Sequence, residues 1–172
     1  MSHDDSIDSH TAAKARIPAD IKRWVVHATF CLERTYDASP ARIWKAFTDP
    51  TAKARWFGEP SGQFNLMERS MDVRPGGRER LKGRWRGGVT STFEAIYYDV
   101  VDHERLVYAY EVYLDDRKIS VSLATAELKG DGKKTRLTIT EQGAFLDGYD
   151  DAGSREQGTG ELLDALGRSL AD

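Results

Sequence analysis

The sequence predicts an α+β domain with an antiparallel sheet and a C-terminal helix. Residues 63–142 contain six consecutive strand-like runs joined by short links. Such links favour antiparallel pairing, because parallel strands need long crossover connections. Residues 154–170 carry leucines at the spacing of an amphipathic helix. A first strand and two short helical segments precede the six runs.

The 172 residues fit one domain with a sizeable core, and we place this domain at residues 23–172. Residues 1–22 are polar and lack hydrophobic periodicity, so we expect a flexible N-terminal tail. His3 and His10 lie in this tail without the clustered ligands that a metal site needs.

The first strand is expected at residues 24–36, where apolar and polar residues alternate. The apolar set should face the interior, and Arg34 interrupts it near the strand end. Cys31 falls on the outer set, and no Cys/His motif marks it as a nucleophile. The apolar set consists of Val26, Ala28, Phe30, Leu32 and Tyr36.

Two short helices should follow, each begun by a capping residue and a proline. Ser39-Pro40 and Asp49-Pro50 show this pattern. The capping side chain accepts a hydrogen bond from the first turn, and a proline at the first helical position sacrifices no backbone bond. The apolar stripe of the first helix consists of Ile43, Trp44 and Phe47.

Turn-forming residues separate the remaining strands. Asp72–Gly77 (Asp-Val-Arg-Pro-Gly-Gly) predicts a tight chain reversal, because proline fixes φ and glycine allows positive φ. Asp115-Asp116 and the Gly-Asp-Gly at 130–132 predict hairpin turns. The strands are expected at residues 63–73, 78–86, 90–101, 105–115, 117–128 and 134–142.

The final helix is expected to begin near Ser154, whose spacing to Gln157 fits a capping box. Three glycines should weaken this helix by about 1 kcal/mol each relative to alanine, unless they allow close approach to the sheet. The glycines are Gly158, Gly160 and Gly167, and the leucine stripe is Leu162, Leu163, Leu166 and Leu170.

Composition and motifs argue against several classes of function. The formal net charge of −3 predicts no nucleic-acid partner, and no apolar run approaches the roughly 20 residues of a membrane span. The N-terminus lacks a signal-peptide pattern and the chain has one cysteine, so we expect a cytoplasmic location. No P-loop, dinucleotide fingerprint, zinc-ligand spacing or Gly-x-Ser-x-Gly elbow occurs, so neither a cofactor nor a metal is expected.

Three sequence blocks are, in combination, fairly specific for one family. They are Tyr36–Pro50 with Trp56–Gly58, then Asp72–Gly77, then Asp102–Tyr108. Together with the element order they resemble the SRPBCC, or START-like, superfamily. Within it, the chain resembles the polyketide cyclase/dehydrase-like branch named for the activator of the heat-shock chaperone ATPase. The resemblance runs from about Val25 to Leu170.

The resemblance implies a helix-grip fold. In this fold a curved antiparallel sheet of six to seven strands wraps around a long C-terminal helix, and a cavity lies between them. It implies no single activity, because members include lipid carriers, hormone and toxin binders, cyclases and chaperone co-factors. Residues 156–161 lack the family's common Gly-Trp pair. The missing aromatic would enlarge the cavity mouth or loosen the helix start.

Residues on several predicted elements are candidates for the cavity wall. Tyrosine and tryptophan combine an apolar body with a polar tip and so suit an amphipathic ligand, although each also fits a plain core position. The family's pocket favours a cavity position for Trp56, Tyr108 and Tyr110. The full set is Trp44, Trp56, Phe57, Met71, Trp85, Phe93, Tyr97, Tyr108, Tyr110 and Glu141.

Glu141 is the candidate for acid–base chemistry, because it shares a strand face with Leu137 and Ile139. A buried carboxylate has a raised pKa unless it is paired. The alternative is an exposed acid near a strand end. Glu127 raises the same question, because by alternation it shares an expected inward face with Ile119, Val121 and Leu123. Arg34 is the expected partner of an inward Glu141, and such an ion pair would favour a structural role.

Residues 78–86 predict a strand with one wholly basic face. An anionic partner, or the acidic residues 147–164 of the same chain or of a homodimer, is one interpretation of this face. A solvated face, or pairing with acids on adjacent strands, is the other. The basic face consists of Arg78, Arg80, Lys82, Arg84 and Arg86.

The expected function is the binding of a small hydrophobic or amphipathic molecule between the sheet and the C-terminal helix. One alternative is an enzyme of cyclase, aromatase or hydrolase type in the same cavity, with Glu141, then Tyr108 or Tyr110, as acid–base group. The other is an interaction module for a chaperone or a stress-response partner, with the basic face as its surface.

Overall fold

A computed structural model describes residues 22–58 and 62–171. It contains a seven-stranded sheet and three helices. The predicted tail lies outside the described residues, apart from Lys22. The elements in chain order are β1 (Val25–Tyr36), α1 (Pro40–Thr48), α2 (Pro50–Ala54), β2 (Phe64–Met71), β3 (Arg78–Trp85), β4 (Thr90–Val101), β5 (Arg105–Leu114), β6 (Arg117–Asp131), β7 (Lys134–Leu146) and α3 (Ala152–Ala171).

The sheet is antiparallel throughout, with the strand order β1-β7-β6-β5-β4-β3-β2. Strands β2 to β7 form a meander through short turns, and β1 pairs with β7 along its whole length. The sheet curves, and α3 packs across it next to β1. The predicted α+β helix-grip fold is therefore confirmed. None of the described helices is both long and apolar enough to cross a membrane.

The two short helices begin as the sequence predicts. The Ser39 side chain accepts a hydrogen bond from the backbone amide of Arg42, and Pro40 opens α1. The Asp49 carboxylate accepts one from the amide of Ala52 at 2.8 Å, and Pro50 opens α2. The caps fix the corner that brings α2 beneath the open end of the sheet.

The main core lies between the sheet, α1 and α3. Ile43 of α1, Leu137 of β7 and Leu166 of α3 are fully buried there. Tyr36, at the end of β1, donates from its hydroxyl to the carbonyl of Leu163 at 2.7 Å. This bond ties the middle of α3 to the edge strand, so burial and hydrogen bonding hold the helix in the same place.

The sequence assigned the wrong face of β6 to the interior. Val121 and Leu123 are exposed at 38% and 42%, and Glu127 is also exposed. The cause is a bulge: Val112 pairs with Ser120 but Tyr113 pairs with Lys118, so one residue of β6 has no partner on β5. The inward residues after this bulge are Ser120, Ser122, Ala124 and Ala126.

The Asp72–Gly77 segment is the predicted chain reversal. The Asp72 amide donates to the carbonyl of Arg78 at 2.9 Å, and Gly76 has a φ of 80°. The amide of Gly76 also donates to the carbonyl of Tyr97 at 2.8 Å. The turn is therefore hydrogen-bonded to β4 as well as joining β2 to β3.

Helix α3 begins three residues earlier than the predicted cap at Ser154. Asp151 is the capping residue, because its carboxylate accepts from the amide of Ser154 at 2.9 Å and from the Ser154 hydroxyl at 2.8 Å. Gln157 donates instead to Glu161 at 3.2 Å. The predicted capping box is therefore wrong, and Arg155 falls in the first turn of the helix.

Candidate functional site

A cavity of about 740 Å³ lies between the curved sheet, α2 and α3. The exposed side chains of Glu161 and Arg168 contribute to its wall, so the cavity reaches the surface beside α3. Strands β2 to β5 supply five of the nine aromatic rings that the described residues contribute, and Trp56 and Phe57 follow directly after α2. The aromatic lining residues are Phe47, Trp56, Phe57, Phe64, Trp85, Phe93, Tyr108, Tyr110 and Tyr149.

Five of these rings form a continuous series. The ring centroids of Trp56 and Phe57 are 5.7 Å apart, and those of Phe57 and Phe93 are 5.1 Å apart. The series continues from Phe93 to Tyr110 at 4.9 Å and from Tyr110 to Tyr108 at 6.0 Å. Contacts at this spacing fix the rings against each other, so the wall is preorganised.

Glu141 lies beside Tyr110, the fourth ring of this series, and is 2% exposed. Its Oε1 accepts a hydrogen bond from the Tyr110 hydroxyl at 2.6 Å. The same oxygen lies 3.4 Å from Nη1 of Arg155. Glu141 is thus an inward carboxylate on the cavity wall, and it accepts hydrogen bonds from both Tyr110 and Arg155.

Arg155 is the centre of this polar cluster. Its Nη2 donates to Asp150 and to the Ser120 hydroxyl, at 2.6 and 2.7 Å. Its Nη1 donates to the Tyr110 hydroxyl at 3.0 Å. Burial lowers the pKa of Arg155, but the nearby Tyr110, Asp150 and Glu141 outweigh this effect and raise it overall. The cluster therefore carries a permanent cation between two carboxylates.

The neighbouring tyrosine differs in having a free hydroxyl. The part of the chain that the structure describes offers the hydroxyl of Tyr108 no hydrogen-bond partner. Tyr108 is surrounded by protein atoms, but its side chain keeps some solvent-accessible surface because it faces the cavity. Burial, followed by the charges of Tyr110 and Glu141, raises its pKa well above the ordinary value. Tyr108 thus keeps its proton and presents a donor to the cavity.

A second buried ion pair lies beside Phe57, with Nζ of Lys53 4.8 Å from the centre of the ring. Lys53 and Glu79 are 6% and 4% exposed, and Nζ of Lys53 lies 2.6 Å from Oε2 of Glu79. The Tyr97 hydroxyl donates to the same oxygen. Lys53 lines the cavity, whereas Glu79 and Tyr97 lie behind it.

Seven of the ten sequence candidates line the cavity: Trp56, Phe57, Trp85, Phe93, Tyr108, Tyr110 and Glu141. The other three are absent from the described wall. Trp44 lies in the main core, edge-on to His103 at 6.3 Å. Tyr97 is bonded to Glu79, and Met71 lies at the end of β2. A ligand contact for any of the ten stays a prediction.

Arg34 is not the partner of Glu141. Its Nε donates to Asp164 of α3 at 3.0 Å, and its register partner on β7 is Leu137. Glu141 lies opposite Phe30 instead, which is four residues from Arg34 along β1. At about 3.3 Å per residue this separation is too long for a direct ion pair.

The basic face of β3 pairs with acids on both adjacent strands. Nε of Arg80 donates to Glu68 of β2 at 2.6 Å, and the same guanidinium contacts Glu94 of β4. Lys82 lies 4.0 Å from Glu68. The interpretation as intramolecular pairing therefore holds for the central part of the face.

Arg155, Lys53 and Glu79 were missed by the sequence reasoning, although two of them carried a signal. Glu79 alternates with Leu81 and therefore shares its inward face. Arg155 precedes Leu162 and Leu166 by seven and eleven residues, which is the spacing of one helix face. Lys53 carried no such signal. The described residues contain no group of three or more His, Cys, Asp or Glu placed to hold a metal ion.

Comparison with known proteins fits this architecture. The profile of the family described as Activator of Hsp90 ATPase homolog 1-like protein matches residues 37–171. The chain belongs to this family. The predicted resemblance is therefore confirmed at the level of the branch. As a member of the Activator of Hsp90 ATPase homolog 1-like family, the chain has the fold of an SRPBCC domain.

The chain is also similar to several solved structures. An uncharacterized protein from Rhizobium leguminosarum is 39% identical, covers 87% of this chain and 98% of its own, and has a TM-score of 0.83. Mll3558 from Rhizobium loti is 42% identical over 85% and 99% of the two chains, with a TM-score of 0.78. DynU16, from the dynemicin biosynthetic locus, shares the fold at 19% identity over 83% and 47%, with a TM-score of 0.62. No curated protein matches the chain.

Proposed function

We propose that this protein binds a small hydrophobic or amphipathic molecule in the cavity between the sheet and α3. The observation that carries the proposal is the cavity of about 740 Å³ with its series of aromatic rings and one polar cluster. Ligand pockets typically measure about 300–1,000 Å³ and combine an apolar wall with a few placed polar groups. Apolar burial, at about 25 cal/mol per Å², would supply most of the affinity.

A direct test uses the neutral fluorophore N-phenyl-1-naphthylamine, whose emission rises in an apolar site. We expect saturable binding by the wild-type protein. Gly158→Leu should abolish it, because Gly158 lines the cavity and a side chain there meets open space. The variant should stay folded, since leucine favours a helix over glycine by somewhat under 1 kcal/mol.

Gly158→Ala is the matched control. It gains similar helix propensity but adds one methyl group, so it should keep most of the binding. Circular dichroism and unfolding midpoints verify that both variants fold. Absence of binding by the wild type, or equal binding by Gly158→Leu, would contradict the proposal.

An enzyme of cyclase, aromatase or hydrolase type is the second candidate, favoured by the burial of Glu141 on the cavity wall. Its difficulty is that Glu141 is held between Tyr110 and Arg155 rather than free to exchange a proton. Conversion of a bound carbonyl compound, lost in Glu141→Gln while binding is retained, would establish it.

Chaperone binding is the third candidate, and the family description favours it. The basic face of β3 would be the surface, but Glu68 and Glu94 already neutralise its centre at Arg80. Salt-sensitive capture of a purified Hsp90-type chaperone, lost on reversal of the charge at Arg84, would favour this function over ligand binding.

A further inference from the structure

We propose that the ligand is an uncharged, largely aromatic molecule with an oxygen atom that accepts a hydrogen bond from the Tyr108 hydroxyl. This inference rests on the proposed function, because it names the class of molecule that the same cavity takes. Three features carry it: the free hydroxyl of Tyr108, the pairing of the buried charges on the cavity wall, and the series of aromatic rings.

Among the five rings of the aromatic series, Tyr108 is the one whose polar donor is unused, because the indole N–H of Trp56 and the hydroxyl of Tyr110 are both hydrogen-bonded. The two neighbouring tyrosines on the sheet donate to carboxylates, Tyr110 to Glu141 and Tyr97 to Glu79. Tyr108 lies between them, with ring centroids 6.0 and 5.9 Å away, and has no partner within residues 22–58 and 62–171. Water in the open cavity can reach this donor, and a ligand oxygen that replaces the water would hydrogen-bond to it within an apolar wall.

The buried cations on the wall are paired within the protein. Three basic residues line the cavity and three acidic ones do so. The two buried cations are already paired, Lys53 with Glu79 and Arg155 with Asp150, each at 2.6 Å. A charged ligand would have to shed its water without gaining a free counter-charge at this depth. The wall therefore favours an uncharged molecule.

The shape of the wall favours a flat ring system. The rings from Trp56 to Tyr108 follow one another at spacings of 4.9 to 6.0 Å. Flat aromatic molecules make offset-stacked or edge-to-face contacts with such rings, which contribute beyond simple area burial. A ligand that extends along these rings brings an oxygen substituent within reach of Tyr108.

Three naphthalene probes with the same body separate these requirements. They are the ketone 6-propionyl-2-(dimethylamino)naphthalene, its analogue 6-propyl-2-(dimethylamino)naphthalene, which keeps the carbon chain but has no carbonyl oxygen and is called the unsubstituted probe below, and the anion 6-(dimethylamino)naphthalene-2-carboxylate. Fluorescence titration of the full chain gives each dissociation constant. The ketone should bind about 2- to 12-fold more tightly than the unsubstituted probe, the factor expected for one hydrogen bond. The anion should bind at least about tenfold more weakly than the ketone.

Tyr108→Phe tests the donor while keeping the ring. It should lower the affinity for the ketone by about 2- to 12-fold and leave the unsubstituted probe unchanged. Tyr98→Phe is the matched control, because Tyr98 is 58% exposed and does not line the cavity. It should change neither affinity.

The outcomes distinguish this inference from the proposed function. Binding of none of the probes overturns both. Equal binding of the ketone and the unsubstituted probe, unaffected by Tyr108→Phe, overturns the role of Tyr108 alone. Tightest binding of the carboxylate overturns the uncharged class. If Tyr108→Phe fails to fold, the emission wavelength of the ketone bound to the wild-type protein provides the test. A hydrogen-bonded ketone emits at longer wavelength than the same probe in an aprotic solvent, so emission at the aprotic wavelength would overturn the role of Tyr108.

Discussion

Nη1 of Arg155, in the first turn of α3, lies 3.4 Å from Oε1 of Glu141 in β7. The two side chains are 12% and 3% exposed. Loss of one partner of a buried pair leaves an uncompensated charge and typically costs about 3–5 kcal/mol. Arg155→Met should therefore lower the free energy of unfolding by about 3 kcal/mol, measured by urea denaturation.

The double variant Arg155→Met/Glu141→Gln is the control for this prediction. This variant removes both charges, so Glu141 is no longer left as a carboxylate without its cation. Its loss in free energy of unfolding should therefore be smaller than the sum of the losses in Arg155→Met and Glu141→Gln. Additive losses would contradict a direct coupling between Arg155 and Glu141. Arg34→Ala should have a much smaller effect, since the Arg34–Asp164 pair is largely exposed.

The inward position of Glu141 is one of the two alternatives that the sequence allows, and strict alternation of β7 from Leu137 onward makes it the correct one. The identity of its partner does not follow from the sequence. Arg155 reaches Glu141 across the gap between helix and sheet, and this reach depends on where α3 begins. The sequence favoured Ser154 as the cap, but Asp151 takes that role and places Arg155 in the first turn.

The same limit applies to β6. Alternation predicts that Val121 and Leu123 face inward, yet the bulge beside Ile119 reverses the faces. A bulge depends on how two strands align, so one strand's pattern does not reveal it. The bulge also affects the cavity wall, because it turns Ser120 inward, where its hydroxyl accepts a hydrogen bond from Arg155.

Lys53 and Glu79 form a second buried pair with the same expected behaviour. Lys53→Met should lower the free energy of unfolding by about 3–5 kcal/mol, because Glu79 keeps only the hydrogen bond from Tyr97. The double variant Lys53→Met/Glu79→Gln should recover part of this loss. Urea denaturation of these two variants and of the single variant Glu79→Gln completes the comparison, and a fully additive double variant would count against the pairing.

The buried tyrosines predict a loss of stability at alkaline pH. Burial raises the pKa of Tyr97, and the charge of Glu79 raises it further; burial likewise raises the pKa of Tyr36. Above about pH 10 the unfolded chain ionises while the folded protein holds these protons. The free energy of unfolding should therefore fall by about 1.4 kcal/mol per pH unit for each such tyrosine.

Urea denaturation between about pH 9 and 11, followed with tyrosinate absorbance, measures this slope. Tyr97→Phe should make the slope shallower, because phenylalanine has no proton to lose. Tyr98→Phe should leave it unchanged, because Tyr98 is exposed and ionises similarly in both states. Equal slopes in the wild type and Tyr97→Phe would refute the prediction.

Gly77 should tolerate no side chain, because a Cβ there would overlap the carbonyl oxygen of Asp72. Its amide donates to Arg74 at 2.7 Å and its carbonyl accepts from Tyr97 at 3.0 Å, so the turn has little freedom to move aside. Gly77→Ala should therefore lower the free energy of unfolding by about 2–4 kcal/mol, within the range of severe backbone effects. Gly87→Ala is the matched control, since a Cβ at Gly87 meets open space. Similar urea midpoints for the two variants would show that the Asp72–Gly77 turn is not a rigid part of the sheet.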